Sequence, residues 1–307
     1  MTKIFIDGSA GTTGLRIADR VNVRHDLEII RLPDDLRKNN EARRDAIHSA
    51  DIAFLCLPDA AAMEAVALAG DASTRIIDTS TAHRTNPNWA YGFPELKGMR
   101  EKIAASKRIA NPGCHASGFI ALVAPLVQEG LLKKDAFLSS FSLTGYSGGG
   151  KNMIADYESA DRNPLLKGPR LYALTQQHKH LKEMVKICGL ENAPAFCPIV
   201  GDFYSGMEVT VPVFAGDLRG TMEDIRQLYQ SYYVSGLVRY DDSADADGML
   251  SAFSHSGRDD MQVSVHGNED RILLVSRFDN LGKGASGAAI QNMNILLGID
   301  EATGLNV

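Results

Sequence analysis

A chain of 307 residues, 44% hydrophobic and 23% charged, has the size and composition of a soluble globular protein with two domains. Lys+Arg 32 against Asp+Glu 38 leaves a net charge of −6, an ordinary solubility margin that argues against nucleic acid or a membrane surface as partner. Four widely spaced cysteines (Cys56, Cys114, Cys188, Cys197) form neither a disulfide framework nor a zinc-ligand pattern. Met1-Thr2-Lys3 runs straight into Ile4-Phe5-Ile6, and no apolar run nears the ~18 residues of a membrane span, so a reducing cytoplasm is the expected setting.

Lys3–Asp7 reads as a short apolar strand, followed by Gly8-Ser9-Ala10-Gly11-Thr12-Thr13-Gly14 and a helical pattern through Val21. The spacing is G-x-x-G-x-x-G, but the mechanics are those of a dinucleotide turn: glycines let the backbone approach a pyrophosphate resting on a helix N-terminus. Leu27–Leu32 is the next strand. Asp34 and Asp35 near its end suit a ribose, whereas Arg31 suits a 2′-phosphate, so these residues alone leave NAD and NADP open. Asn39–His48 and Ala60–Leu68 read as helices, Ile52–Leu57 and Arg75–Asp78 as buried strands. Strands alternating with helices at this pitch predict a Rossmann-like, doubly wound parallel sheet.

Thr79–Arg84 lies just beyond a strand end, where open α/β sheets bind ligands; Arg84 is either a clamp for phosphate or carboxylate or a solvated surface arginine. Arg108–Ala110 is a strand delivering Asn111-Pro112-Gly113-Cys114, a tight turn ahead of a helix-compatible run from Ala116 to about Gln128. Unpaired N–H groups and the macrodipole at a helix start favour an anion, and a thiolate is one. Cys114 is therefore a candidate nucleophile; its competing reading is a small buried hydrophobe.

Past that helix the pattern changes. Ala136–Thr144 alternates like a strand and leads into Gly145–Lys151, where Ser147, Gly148 and Lys151 make a candidate anion nest or simply a flexible loop. Residues 152–170 read as a polar surface excursion. Gln176–Cys188 reads as a helix; on it His178 shares a face with Leu181 or Lys182 while His180 points away, so at most one imidazole reaches Cys114. The i,i+2 spacing is poor for a metal, and none is expected. Met207–Phe214, Leu237–Tyr240, Met261–His266 and Arg271–Phe278 are strand-like, with a Thr-capped helix at Thr221–Tyr233, predicting an α+β domain with a mainly antiparallel sheet that serves a homo-oligomer. Asp279–Gly287 then leads a small-residue helix to Leu297. The expected division is 1–113 for the dinucleotide, 114–284 for catalysis and oligomerisation, and 285–307 packing back on the first domain, with Asn280 near the cofactor.

Five segments in order, D-G-S-A-G-T-T-G at 7–14, D-T-S-T-A-H-R at 78–84, Y-G-F-P-E-L at 91–96, N-P-G-C at 111–114 and D-N-L-G-K-G-A-S-G-A-A-I-Q-N-M-N at 279–294, resemble the shorter form of the N-acetyl-gamma-glutamyl-phosphate reductase family. The resemblance implies that Cys114 is the nucleophile, assisted by His178 or His180, and that Gly8, Gly11 and Gly14, with Ser9, Thr12, Thr13 and Arg31, hold NADP(H). It implies a two-step reduction of an acyl phosphate through a thioester. For such a substrate the candidate residues are Arg84, Ser147, Gly148, Lys151 and Glu183, and its carboxylate needs a cation that Arg162, Lys167 or Arg170 could supply. Longer members of the family follow the histidine pair with Pro-Glu; here Leu181-Lys182 precede Glu183, and the face argument favours His178. A homodimer or homotetramer is expected. The competing readings are aspartate-semialdehyde dehydrogenase, the same chemistry on a free amino acid, and a non-catalytic dinucleotide sensor.

Overall fold

The computed structural model describes residues 1–243 and 245–307. Its chain divides into two compact units, residues 1–112 with 285–305 and residues 113–284 with 306–307.

In the first unit the strands are β1 (Thr2–Asp7), β2 (Leu27–Ile30), β3 (Ile52–Leu55), β4 (Arg75–Asp78), β5 (Ala90–Tyr91) and β6 (Arg108–Ala110). They form one parallel sheet in the order β2-β1-β3-β4-β6-β5. Helices α1 (Thr12–Asn22), α2 (Asn40–Ser49), α3 (Asp59–Ala69), α4 (Met99–Ala105) and the last helix of the chain, α9 (Gly287–Leu297), complete it. Alternate side chains point to opposite faces of a strand, and both faces here are covered, which is why these strands read as unbroken apolar runs. Ile4, Ile6, Ile52, Phe54 and Ile77 pack with Ile17 and Val21 of α1 and Ile290 and Met293 of α9. Phe5, Ala53, Leu55 and Ile76 pack with Ile47 of α2 and Ala62 and Ala65 of α3. The strand order reverses at β1, so the glycine turn after β1 sits at the point where such sheets hold ligands.

The second unit is built on a seven-stranded sheet: β7 (Ser139–Gly145), β8 (Arg170–Leu171), β9 (Ala195–Gly201), β10 (Met207–Phe214), β11 (Val238–Tyr240), β12 (Met261–Gly267) and β13 (Arg271–Phe278). The order is β11-β12-β13-β10-β7-β9-β8. The β11–β12 and β7–β9 pairs are parallel and the others antiparallel, as expected of a mainly antiparallel sheet. Strand β9 escapes the sequence reading because Pro198 interrupts it; the proline carbonyl accepts from Tyr172 N–H instead.

Helix α5 (Cys114–Gln128) is buried from His115 to Val127 and is the core of this unit. It starts at Cys114, two residues earlier than expected. Pro125 inside it removes the donor that would pair with the Ala121 carbonyl. The Tyr233 hydroxyl replaces that donor at 2.6 Å, and the Tyr229 hydroxyl bonds the next carbonyl, Leu122. Both tyrosines come from α8 (Met222–Tyr232) and its C-cap, whose start is locked by the Thr221–Asp224 capping box.

Two expectations are corrected. Helix α7 is His180–Cys188, so His178 lies in the turn before it and the face argument for His178 has no helix to stand on. The 145–170 region is not loop throughout: Tyr146–Gly149 is a 3₁₀ turn running into α6 (Gly150–Glu158).

Candidate active site

Gly8 has φ +86°, and a Cβ there would lie 2.3 Å from the Cys56 carbonyl oxygen; at Gly14 it would lie 2.5 Å from Gly8 O. Both positions require glycine. Gly11 is the N-cap of α1, which has no side-chain cap and no acidic residue in its first turn, leaving the N–H groups of Thr12, Thr13 and Gly14 to an incoming anion. Beside the turn is a cavity of about 310 Å³ lined by Asp7, Gly8, Ser9, Arg31, Arg37 and Lys38 among others. Arg31 donates to Asn22 Oδ1 at 2.6 Å, and Arg37 pairs with Asp34 at 2.7 Å. A turn closed to a Cβ at Gly8 and Gly14, beside a cavity lined by three cations, fits a dinucleotide carrying an extra phosphate.

Asp78 at the end of β4 accepts from Ser80 N–H, Ser80 Oγ and His83, whose ring stacks on Trp89 at 4.1 Å. Arg84 is 8% exposed, and its Nε and Nη2 donate to the carbonyls of Asn111 and Thr79, each at 2.9 Å. It is not a solvated surface arginine: it braces the turn that carries Asn111. The closing motif works the same way. Asn292 donates to Gly92 O and Asn111 Oδ1, Gln291 to Glu95, and Asn111 to Ala285 O. Gly92, Glu95, Asn111, Ala285, Gln291 and Asn292 of these motifs thus tie one another together within the first unit.

In the second unit, Cys114 is the first residue of α5, partly exposed, behind an N-cap glycine with no side-chain cap and no first-turn acid. Gly113 N–H donates to Glu183 Oε1 at 2.8 Å, and Glu183 is 1% exposed. A Cβ on Gly284 would stand 2.9 Å from the Cys114 Cβ, so only glycine lets the 282–286 turn close on the cysteine. Lys283 beside it is buried. The rings of His178 and His180 lie 4.7 Å apart, and each lies within 6 Å of His115 (5.7 and 5.6 Å). His178 Nδ1 accepts from His180 N–H at 3.2 Å. Both imidazoles therefore join one cluster with His115.

The other cysteines differ. Loss of solvent pushes the Cys56 thiol up to about 12 and also raises that of the buried Cys188. Asn280 is buried; its Oδ1 accepts from Gly206 N–H and its Nδ2 donates to Ser147 Oγ, both at 3.0 Å. Asn280 and Ser147, expected in different roles, thus touch. Gly148 and Lys151 are exposed, and Arg162 is held bidentately by Asp202. Sequence reasoning missed His115, Tyr172, Ser142 and Gln176. Adjacency to Cys114 could have flagged His115; no spacing rule points to the others. Among the described residues no three or more His, Cys, Asp or Glu side chains are placed to hold a metal ion, and no described helix is long and apolar enough to cross a membrane.

A dinucleotide cradle and a cysteine at a bare helix start define a class of thiol-bearing, nucleotide-binding dehydrogenase folds, and the comparisons agree. The model for the semialdehyde dehydrogenase NAD binding domain matches residues 3–106, and that for the semialdehyde dehydrogenase dimerisation domain matches residues 114–280. The chain belongs to the semialdehyde dehydrogenase family. Proteins named N-acetyl-gamma-glutamyl-phosphate reductase from Brucella ovis and Brucella suis are each 47% identical to it, over 96% of this chain and 99% of theirs. Aspartate semialdehyde dehydrogenase II of Vibrio cholerae, complexed with ASA, shares the fold with TM-score 0.73 at 15% identity, covering 97% of this chain and 98% of that one. The Candida albicans aspartate semialdehyde dehydrogenase with NADP does so with TM-score 0.66 at 15% identity, covering 97% and 98%.

Proposed function

We propose that this chain is an NADPH-dependent reductase converting N-acetyl-L-glutamyl 5-phosphate to N-acetyl-L-glutamate 5-semialdehyde with release of phosphate, in arginine biosynthesis in the cytoplasm. The observation that carries it is the 47% identity, end to end, to reductases of that name, with Cys114 at the start of a helix. The proposed nucleophile is the Cys114 thiolate. Its attack on the acyl carbon forms a C–S bond and expels phosphate, leaving a thioester. NADPH, when bound, supplies the hydride that makes the aldehyde and returns the sulfur as thiolate. The α5 N–H groups stabilise negative charge on the sulfur and on the acyl oxygen. His115 is unsuited to proton transfer, because burial, and secondarily His178 and Lys179, push its pKa down to about 3. We assign the thiol proton to the His178–His180 pair; neutral His178, its Nδ1 accepting from the His180 N–H, already carries a proton on Nε2, which makes it the donor of the pair and His180 the acceptor. Glu183 positions the turn through Gly113, a role we assign it in place of a substrate contact. Gly8, Ser9, Gly11, Thr12, Thr13 and Gly14 would hold the pyrophosphate, with Arg31, Arg37 and Lys38 toward the 2′-phosphate. Asn280 fixes Ser147, Gly148 and Lys151 serve the leaving phosphate, and Arg84 keeps the bracing role that its two carbonyl contacts give it.

The family's dimerisation domain covers the seven-stranded sheet, and on one face of it Phe141, Phe214 and Leu273 are exposed, placed together by the β7–β10–β13 register. We assign that face to a homodimer. The reverse assay tests the whole reading: with phosphate and NADP, N-acetylglutamate semialdehyde should be oxidised and aspartate semialdehyde should not. Turnover of aspartate semialdehyde alone would transfer the chain to the aspartate enzymes, and no turnover of either would favour a dinucleotide sensor.

A further inference from the structure

The wall of the cavity beside the glycine turn holds a carboxylate. Asp7, the last residue of β1, lines that cavity with Gly8 and Ser9 and is 5% exposed. A carboxylate so placed repels a ligand made of phosphates unless a cation opposes it. The opposing cation is Arg43 of α2, itself buried. Its Nε donates to Asp7 Oδ2 at 3.0 Å, and its Nη2 stands 2.9 Å from the same oxygen. Its Nη1 donates to Asn40 Oδ1 at 3.1 Å and to Glu64 Oε2 at 2.8 Å. One guanidinium thus stands between two carboxylates, one buried in the cavity wall and one half-exposed on α3.

We propose that Arg43 is a positioning residue for the nucleotide that acts through Asp7: its guanidinium cancels the carboxylate at the end of β1, which left alone sets its charge against the phosphates at the start of α1. The inference rests on the reading of this cavity as the NADPH site, and adds to it a residue from outside the cavity lining.

Charge cancellation of this kind leaves a signature in pH. Burial raises the Asp7 carboxyl, and the charge and hydrogen bond of Arg43 pull it back down. Without Arg43, Asp7 takes up its proton at a higher pH than in the wild type. Its repulsion of phosphate is then present in alkali and fades as pH falls. The other charged or titratable groups around Asp7 are Glu64 of α3, Cys56 just past β3, and Arg31, Arg37 and Lys38 of the cavity lining. The Cys56 backbone N–H donates to the Asp7 carbonyl at 2.8 Å, and its thiol, pushed up to about 12, stays uncharged near neutrality. All of these are common to the wild type and the variants below.

The test is NADPH affinity by fluorescence titration at pH 8.5 and pH 6.5. Each variant is read as a ratio to the wild type at the same pH, so that titration of the nucleotide's own phosphate cancels. Arg43→Gln should bind about tenfold more weakly at pH 8.5 and about threefold more weakly at pH 6.5. Arg43→Gln with Asp7→Asn removes both charges and leaves two amides able to bond each other, so its affinity should return to within about twofold of the wild type at both pH values. If Arg43 only holds α2 in place, the loss is equal at both pH values and persists in the double variant, and that result would overturn the proposal. Should Arg43→Gln fail to fold, the double variant decides alone: folded by circular dichroism yet about tenfold weaker, it sinks the proposal. A wild type that binds no NADPH at either pH would instead overturn the reading of the cavity, and the proposal with it.

Discussion

Helices α1 and α5 begin alike and are surrounded differently. Each has a glycine at the N-cap, no side-chain cap and no acid in the first turn. By contrast α2 is capped by Asn39 and α8 by a full capping box, with acids in their first turns. Helix α6 begins in the same way behind Gly149; the starts of α1 and α5 differ from it in what surrounds the N–H groups they leave open. Around α1 the cations Arg31, Arg37 and Lys38 line the cavity, which suits a ligand whose negative charge is permanent. Around α5 stand imidazoles, one of them held neutral, with hydroxyls, the buried Lys283 and a carboxylate committed to Gly113. That suits a charge that appears on the sulfur and disappears when the sulfur is acylated. One helix start thus serves binding and the other serves chemistry, and substitutions at the two should separate.

The largest separation is expected from Cys114→Ser. A serine at that place lacks an accessible anion, so turnover should fall more than about a thousandfold while NADPH affinity by fluorescence titration stays within about twofold. Arg31→Gln with Arg37→Gln should do the opposite. Each removes a charge-assisted contact to phosphate, so NADPH should bind about 30-fold more weakly at low salt, NADH about as before, and kcat at saturation should hardly change. A loss shared equally by both nucleotides would mean that these cations support the fold of the turn and read no phosphate.

How much of this was legible in the sequence divides along the same line. The glycine turn, the strands around it and the N-P-G-C start of α5 obey local rules, and a reader of residues alone finds them. The centre around the cysteine does not. Gln176-Gln177-His178-Lys179 is made of helix-compatible residues, yet Gln176 takes φ 55° to bond the backbone of Phe196, a strand residue 20 positions on. That long-range pairing overrides local propensity, moves the start of α7 to His180, and brings His178 and His180 together when helical spacing would part them. Tyr172 reaches His115 through the same turn. Arg84 was undecidable for another reason: whether a guanidinium meets solvent, a ligand or a carbonyl depends on what lies across from it, here Asn111, 27 residues away.

The smallest effect expected sharpens the contrast from the α5 side, through stability. His115 sits at about 3 in the folded chain against an ordinary value of 6.5, so the unfolded chain binds that proton more tightly. Stability is then full above about pH 6.5 and falls as pH drops toward the folded value, by about 1.4 kcal/mol per pH unit. Groups shifted the other way, such as Asp7 and Glu208, whose carboxyls burial raises, oppose this but are common to wild type and variant. Urea unfolding at pH 6.5 and pH 5.0 should therefore show a steeper acid loss in the wild type than in His115→Gln, by up to about 2 kcal/mol over that interval. Equal slopes would mean that the imidazole accepts a proton inside the fold. The helix start at Cys114 would then gain an imidazolium at acid pH in addition to Lys283, and its difference from α1 would be one of degree.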